Sequence, residues 1–397
     1  MVFRQSRNDS IPPLSPLPFP AECELILCCA ATVLDKERLN RIGSLLDAGL
    51  DWDYLVIEAD RHGLMPLVYS NLGAAFPEAV PEPFINTLRD NFRKNAISNL
   101  LLTSEMCSII NLLGASGVSA VPFKGPTLAV AAYGDLALRE FRDIDLLVRE
   151  EDVLRARAIL AARGYAPDHQ LSRAQETAYL KSENECGLKG RVYLELQWNI
   201  VPRNHSFKLN DDELWRNLDL INVEGQQVAA LSTEDLLLLL CVHASKQSWK
   251  RLSWVCDVSE LIRARRDMDW NRLFERAKRL GGKRMLSTGL ILANGLLGAA
   301  LPDFALEQVN ADRAARRLAA RACARLFSSK VNFYEALKNP LFYIKARERL
   351  RDKARCCARM ALSPTVNDLQ SLSLPPALFF FYYPLRPLRL LSKYLLR

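Results

Sequence analysis

Apolar residues recur with the period of a helix along most of the first 115 residues. They are spaced by three and four positions in 51–61 and in 64–72, and a longer run of the same kind extends over 83–113. This spacing places apolar side chains on one face of a helix, so we expect residues 22–115 to form a helical region. The proline-rich stretch 1–21 has no such period, and we expect it to be a disordered lead.

The pattern changes to that of β-strands after residue 115. Around Glu195, acidic and amide side chains alternate with leucines, which gives a strand with one apolar and one polar face. Short apolar runs elsewhere indicate further strands, with helices between them. The expected strands lie at 118–123, at 143–148 and within 182–200, with helices at 125–132 and 151–163 and a hairpin at 223–228.

Helical periodicity returns from Thr233, where Ser232 or Thr233 caps an apolar run, and continues to about residue 360. The fold class expected from these patterns is α+β. A small mixed β-sheet core at 116–230 is flanked by an N-terminal helical region and by a C-terminal helical region at 231–365. An aromatic and basic tail, 366–397, closes the chain.

The charge of the chain is unevenly distributed, although its net value is only +8. Residues 1–260 carry a net charge of −9, whereas 261–397 carry +17. This excludes a uniformly basic chain of the histone kind and suggests that the last third faces something anionic. The simplest interpretation is a basic face exposed to solvent. The alternatives are that this face binds an anionic acceptor, a membrane surface or nucleic acid, the last of which we do not favour.

The tail itself leaves two interpretations open. Its mixture of aromatic and basic residues over 377–397 suits peripheral contact with a membrane. It equally suits a segment that docks on the body of the protein and seals the core.

The cysteines and the N-terminal sequence favour a cytoplasmic protein. Ten cysteines without any Cys-x-x-Cys pair argue against a disulfide scaffold and a zinc ribbon. Prolines stand where a signal peptide would need an apolar stretch. The uncharged windows 285–302 and 369–385 contain polar residues or prolines, so we expect neither to span a membrane.

Two acidic residues on one strand are the first candidates for chemistry. Asp143 and Asp145 are two positions apart and therefore point to the same face of their strand. Neighbouring carboxylates repel each other unless a cation lies between them, and hard oxygen ligands suit Mg²⁺ or Mn²⁺. Glu195, on the polar face of its own strand, is the best candidate for a third metal ligand. These three residues are the expected catalytic and metal-binding set.

Basic and glycine residues near this strand are candidates for phosphate binding. Lys124 and Gly125 lie where a strand turns into a helix, and the free N–H groups of a helix start suit phosphate. Arg139 and Arg142 lie just before the acidic strand and are placed to grip a triphosphate. For Arg139, the alternative is a salt bridge to Asp143 or Asp135.

These motifs together resemble those of a bacterial family of uncharacterised nucleotidyltransferases in the DNA polymerase β superfamily. The matching motifs, in chain order, are Lys124-Gly125, Tyr133-Gly134-Asp135, Arg139, Asp143-Ile144-Asp145 and Leu194-Glu195-Leu196-Gln197-Trp198. The resemblance extends over about 22–397. It implies that 116–230 is a nucleotidyltransferase core. The implied reaction transfers a nucleoside monophosphate from a nucleoside triphosphate to an acceptor and releases pyrophosphate.

In that resemblance, Asp143 and Asp145 bind both metal ions, and Glu195 helps to bind one of them and orients or deprotonates the acceptor hydroxyl. The chain departs from the family at two places. Pro126 follows Gly125 where the superfamily usually has serine or glycine, which removes one N–H donor that Thr127 is placed to replace. Gln197 stands where the family often has histidine, and glutamine cannot act as an acid or a base.

A later helical motif and the identity of the acceptor leave alternatives open. The motif consists of residues spaced by about one or more helical turns, namely His243, Lys246, Trp249 and Asp257. This spacing fits either a wall of the nucleotide pocket or a helix-packing motif with a buried His–Asp contact. The acceptor, a small molecule, saccharide, peptide or protein, is not identified by the sequence. The alternative functions are a weak or inactive nucleotide-binding regulatory protein of the same fold and an RNA-directed nucleotidyltransferase.

Overall fold

The computed structural model of the chain describes residues 19–395, apart from a few short segments. Those segments are 170, 173–174, 177–178, 181–182, 202–204, 206, 208, 328–334 and 372–373. The expected disordered lead, 1–21, lies almost wholly outside the described residues. Phe19, at its end, packs its ring 4.6 Å from that of Phe327.

Helices occupy the N-terminal region, as the apolar spacing predicts. Asp51 caps the third of them by accepting a hydrogen bond from the Tyr54 N–H, and Gly63 ends it in a left-handed conformation. The long helix predicted over 83–113 is confirmed. The five helices are α1 (Ala21–Cys29), α2 (Lys36–Asp47), α3 (Trp52–His62), α4 (Met65–Ala75) and α5 (Glu82–Ala115).

A mixed five-stranded sheet follows, in the order β1-β2-β5-β4-β3. The strands are β1 (Ala120–Pro122), β2 (Ile144–Val148), β3 (Ala166–Pro167), β4 (Glu185–Lys189) and β5 (Tyr193–Gln197). β2 runs parallel to β5, whereas the β1–β2, β4–β5 and β3–β4 pairs are antiparallel. The predicted α+β class with a small mixed sheet is therefore confirmed.

Short helical elements connect these strands. The helix predicted over 125–132 is in fact one turn, α6 (Gly125–Leu128), that widens into a π-helical turn at Ala129–Tyr133. The helix predicted over 151–163 is α7 (Val153–Ala162). The predicted hairpin is β6 (Leu218–Val223) and β7 (Gln226–Leu231), preceded by the short helix α8 (Asp212–Arg216).

The C-terminal region is again helical. Ser232 caps its first helix through a bond from the Asp235 N–H, as expected. Its helices are α9 (Thr233–Lys246), α10 (Leu252–Ala264), α11 (Trp270–Leu280), α12 (Lys283–Leu297), α13 (Asp303–Ala311), α14 (Arg313–Leu326), α15 (Glu335–Ala346), α16 (Leu350–Leu362), α17 (Val366–Ser371) and α18 (Tyr382–Leu395).

Two hydrophobic cores hold these elements together. The larger core joins α1–α5 to α9–α16, so the two helical regions share one interior across the sheet sequence that separates them. The smaller core lies around the sheet and includes Leu369 and Tyr382 from the tail. Both residues are buried, so this part of the tail packs on the body of the protein.

One helix among the described residues, α5, is long and apolar enough to cross a membrane by length and composition. In its most apolar window, 39% of the residues are buried inside the protein. A core helix of a globular protein passes the same test, so this is weak support for a membrane span. Ile97, Leu100 and Leu101 are exposed on this helix.

Candidate functional site

The three carboxylates predicted from the sequence meet on adjacent strands. Asp145 in β2 lies directly opposite Glu195 in the parallel register of β2 and β5. Asp143 comes two residues before Asp145 and therefore lies on the same face of the sheet. Asp145 is buried, whereas Asp143 and Glu195 are half-buried. The sheet topology thus brings together side chains that are 50 residues apart in the sequence.

Lys124 reaches the same carboxylates from the turn between β1 and α6. Its Nζ lies 3.3 Å from Oδ1 of Asp145 and 5.1 Å from the centre of the Phe123 ring. The next residue, Gly125, has a φ of +53°, a left-handed conformation that residues with a Cβ rarely adopt. Gly125 therefore allows the sharp turn that directs Lys124 back towards β2.

Gln197 joins two of the three carboxylates. Its Nε2 donates to Oδ1 of Asp145 at 2.8 Å and to Oε2 of Glu195 at 3.0 Å. An amide cannot take up or release a proton at neutral pH, so this residue orients the carboxylates.

The site carries more negative than positive charge. Burial, and then Asp145 and Glu185, raise the pKa of the Glu195 carboxyl to about 8. Burial also raises the pKa of Asp143, with a further contribution from Asp145. Burial opposes the charged form of Lys124, but Asp145, Glu195 and Asp143 outweigh it and raise the pKa of its ammonium. A buried excess of carboxylates stabilises bound cations.

Glu185 is a fourth acidic residue at the site, and it does not stand out in the sequence pattern alone. It lies in β4 opposite Gln197, and its Oε2 accepts a bond of 3.0 Å from Nδ2 of Asn184. Its charge helps to raise the pKa of Glu195. The alternating pattern within 182–200 was the only signal for it, because the pairing of β4 with β5 is a tertiary feature.

Arg139 is held by Asp257 instead of by either carboxylate that the sequence suggested. Its Nε lies 2.7 Å from Oδ1 of Asp257, and its Nη2 lies 3.0 Å from Oδ2. The hydroxyl of Tyr133 donates to the same Oδ1 at 2.7 Å. The expected partners Asp143 and Asp135 are therefore wrong, and Asp135 instead caps a short turn by accepting from the Ala137 N–H.

Thr127 and Arg142, the other candidates for phosphate binding, take no part in the pair of Arg139 with Asp257. The hydroxyl of Thr127 is buried and donates to the backbone carbonyl of Lys124 at 3.0 Å, so it is committed to the turn. Arg142 is exposed at the surface just before β2. Gly125 and Lys124 are thus the two candidates that contact the carboxylate region directly.

The later helical motif divides into a core part and a part that faces the site. Trp249 is fully buried, and its Nε1 lies 3.3 Å from the Ser245 hydroxyl, so it packs between helices and does not line a pocket. Burial lowers the pKa of His243 well below its usual value, and the charges of Lys124, Lys246 and Arg139 lower it further. The His243 imidazole is therefore neutral and stands near Lys124.

The predicted His–Asp contact of this motif is not formed among the described residues. The hydrogen-bond partners of the Asp257 carboxylate there are Tyr133 and Arg139. The ring of His243 instead lies 5.7 Å from that of Trp254, at nearly a right angle.

The donor set suits a hard divalent ion, but the side chains are not yet arranged around one. Within the described part of the chain, no three His, Cys, Asp or Glu side chains converge closely enough to hold a metal. Lys124 and Gln197 both bond to Oδ1 of Asp145, and Gln197 also bonds to Oε2 of Glu195. Carboxylate oxygens are the ligands that Mg²⁺ prefers, so this donor set suits the ion, and binding it here requires Lys124 and Gln197 to give up these bonds.

The chain matches the model of a known protein family. None of the curated proteins matches the chain. The model of a family described as an uncharacterised nucleotidyltransferase matches residues 48–298, which is more than half of the chain and includes every candidate site residue. The protein therefore belongs to this uncharacterised nucleotidyltransferase family.

Proposed function

We propose that the protein is a metal-dependent nucleotidyltransferase, which transfers a nucleoside monophosphate from a nucleoside triphosphate to a hydroxyl-bearing acceptor. The observation that carries the proposal is that Asp145 lies opposite Glu195 in the register of β2 and β5, with Asp143 on the same face. The Nζ of Lys124 lies 3.3 Å from Oδ1 of Asp145. In nucleotidyl transfer, two bound Mg²⁺ or Mn²⁺ ions neutralise phosphate charge and lower the pKa of the attacking hydroxyl.

The residues divide the work of the proposed reaction. The acceptor oxygen attacks the α-phosphorus and forms a new P–O bond, while the bond between the α-phosphorus and the bridging oxygen breaks. Pyrophosphate leaves with that oxygen, and Glu195, the carboxylate opposite Asp145, takes the hydroxyl proton. Lys124 holds the phosphates as a point charge, whereas the charge of Arg139 is already balanced by Asp257.

A transfer assay tests this proposal. Purified protein is incubated with each α-labelled nucleoside triphosphate, Mg²⁺ or Mn²⁺, and a cell extract as the source of acceptor. We expect a labelled product that is lost in the Asp143→Ala/Asp145→Ala double variant. Asp212→Asn is the matched control, since this acidic side chain is 81% exposed and pairs with Arg149, not with a site residue. Equal product from the double variant and from the wild type would refute the proposal.

One observation favours a second function, that of a regulatory protein that binds nucleotide without turnover. Gln197 bridges Asp145 and Glu195 and cannot shuttle a proton, and Pro126 removes a backbone donor from the phosphate turn. Calorimetry that shows triphosphate binding together with the absence of pyrophosphate release, across a broad set of acceptors, would favour this second function.

A further inference from the structure

The tail leaves an exposed aromatic surface although its other side is buried. Tyr382 and Leu369 pack into the smaller core. In the 3₁₀ turn before α18, Phe380 and Phe381 are 60% and 42% exposed, and their ring centres are 4.3 Å apart. Leu388, on α18, is 62% exposed. Large apolar side chains that remain exposed together mark an interaction surface.

Helix α16 packs against α18 and adds exposed side chains in the same part of the molecule. Cys356 and Asp352 are buried on the inner side of α16. On its outer side, Leu350 and Leu362 are exposed at the two ends. Between them lies a row of exposed arginines spaced by four residues, namely Arg351, Arg355 and Arg359. Leu362 therefore lies on the same side of the helix as Arg351 and Arg355.

The charge of this region is almost entirely positive. From residue 350 to the end, the sequence has eight Lys or Arg and two acidic residues, Asp352 and Asp368. Both acidic residues are buried; Asp352 pairs with Arg347 and Arg351, and Asp368 is bonded to Arg386 and Arg389. The aromatic–basic face, which consists of the exposed apolar and arginine residues named above, therefore presents no carboxylate from this part of the chain.

We propose that the aromatic–basic face binds the surface of an anionic lipid bilayer. Aromatic and leucine side chains insert at the boundary of headgroups and acyl chains, while arginines contact the lipid phosphates. A second copy of this chain fits poorly, because two such faces would bring like charges together. RNA fits less well, since Leu350, Leu362 and Leu388 have no aromatic ring on which bases stack.

Vesicle co-sedimentation tests the proposal independently of any enzymatic activity. Full-length protein is mixed with vesicles of phosphatidylcholine alone or of phosphatidylcholine with phosphatidylglycerol. We expect binding only to the anionic vesicles, weakened by added salt. Phe380→Ser/Phe381→Ser should reduce the affinity by about tenfold or more, since both rings leave the lipid. Arg351→Gln/Arg355→Gln should reduce it by about fivefold per cation.

Ile97→Ser/Leu101→Ser, on the exposed face of α5, is the matched control and should bind as well as the wild type. Circular dichroism of each variant verifies that the fold is intact. Three outcomes would overturn the proposal: absence of binding to anionic vesicles, equal loss in the α5 control, or a dimer in solution that the Phe380→Ser/Phe381→Ser variant abolishes.

Discussion

Single side chains decide what the candidate site can do. Gln197 was recognised in the sequence only as a departure from a family pattern, because a sequence does not show what an amide will contact. In the structure it donates to both Asp145 and Glu195. The shared face of Asp143 and Asp145 was predictable from strand alternation, whereas the ion pair of Arg139 with Asp257 was not. That pair joins residues more than a hundred positions apart.

The raised pKa of Glu195 predicts how stability depends on pH. The value is about 8 in the folded protein, against about 4.3 for a free glutamate. Between these values the folded protein holds a proton on this carboxyl that the unfolded chain lacks, so the contribution of Glu195 to the free energy of unfolding falls as pH rises. Without metal or nucleotide, we therefore expect the midpoint of thermal unfolding of Glu195→Gln to rise relative to that of the wild type between about pH 4.5 and about pH 8.

Asp212→Asn controls for the loss of an acidic group, and its unfolding midpoint should depend on pH as that of the wild type does. Identical slopes for Glu195→Gln and the wild type would show that this carboxyl titrates normally.

The network around Asp257 gives a second residue-scale prediction. Asp257→Asn leaves the buried guanidinium of Arg139 without its counter-charge, which costs about 3–5 kcal/mol of unfolding free energy for a broken buried pair. Tyr133→Phe removes one neutral donor from the same carboxylate and should cost about 1 kcal/mol. Urea unfolding measures both. Similar losses for the two variants would contradict the assigned role of Arg139.

At the scale of elements, the turn between β1 and α6 sets the position of Lys124. A Cβ on Gly125 would meet the Asp143 carbonyl oxygen at 3.6 Å, an ordinary contact, so the cost of Gly125→Ala comes from its φ of +53°. We expect a loss of about 1–2 kcal/mol in unfolding free energy and weaker triphosphate binding.

Gly114→Ala is the matched control for that turn. Gly114 lies inside α5, has a helical backbone and has open space around its Cβ position. This substitution should stabilise the protein by about 0.5–1 kcal/mol and leave nucleotide binding unchanged. Denaturant titration and calorimetry measure the two effects, and a stabilised Gly125→Ala variant would contradict the account of the turn.

Most elements could be predicted from the sequence, but their pairing could not. Apolar spacing identifies α5 and the strand that carries Glu195, and the turn residues identify the β6–β7 hairpin. The parallel pairing of β2 with β5 depends on packing between segments about 50 residues apart, for which a single sequence carries no local signal. Trp249 illustrates the same limit of a single sequence, since a tryptophan in a helical motif is equally compatible with a core position and with a pocket wall.

At the scale of the whole molecule, charge and burial separate two surfaces. The acidic part of the chain, with a net charge of −9 over 1–260, contains the site carboxylates Asp143, Asp145 and Glu195. The basic part contributes helices to the larger core and presents the aromatic–basic face outside it. The uneven charge was visible in the sequence, but which arginines are exposed depends on how α16 and α18 pack.

The central claim is that Asp143, Asp145 and Glu195 form a metal-dependent triphosphate site beside Lys124. Isothermal titration of a nucleoside triphosphate, with and without Mg²⁺, tests it most directly. We expect Mg²⁺ to tighten binding by about tenfold or more in the wild type and in Asp212→Asn, but to have no effect in Asp143→Asn/Asp145→Asn. Equal enhancement by Mg²⁺ in the double variant would contradict the claim.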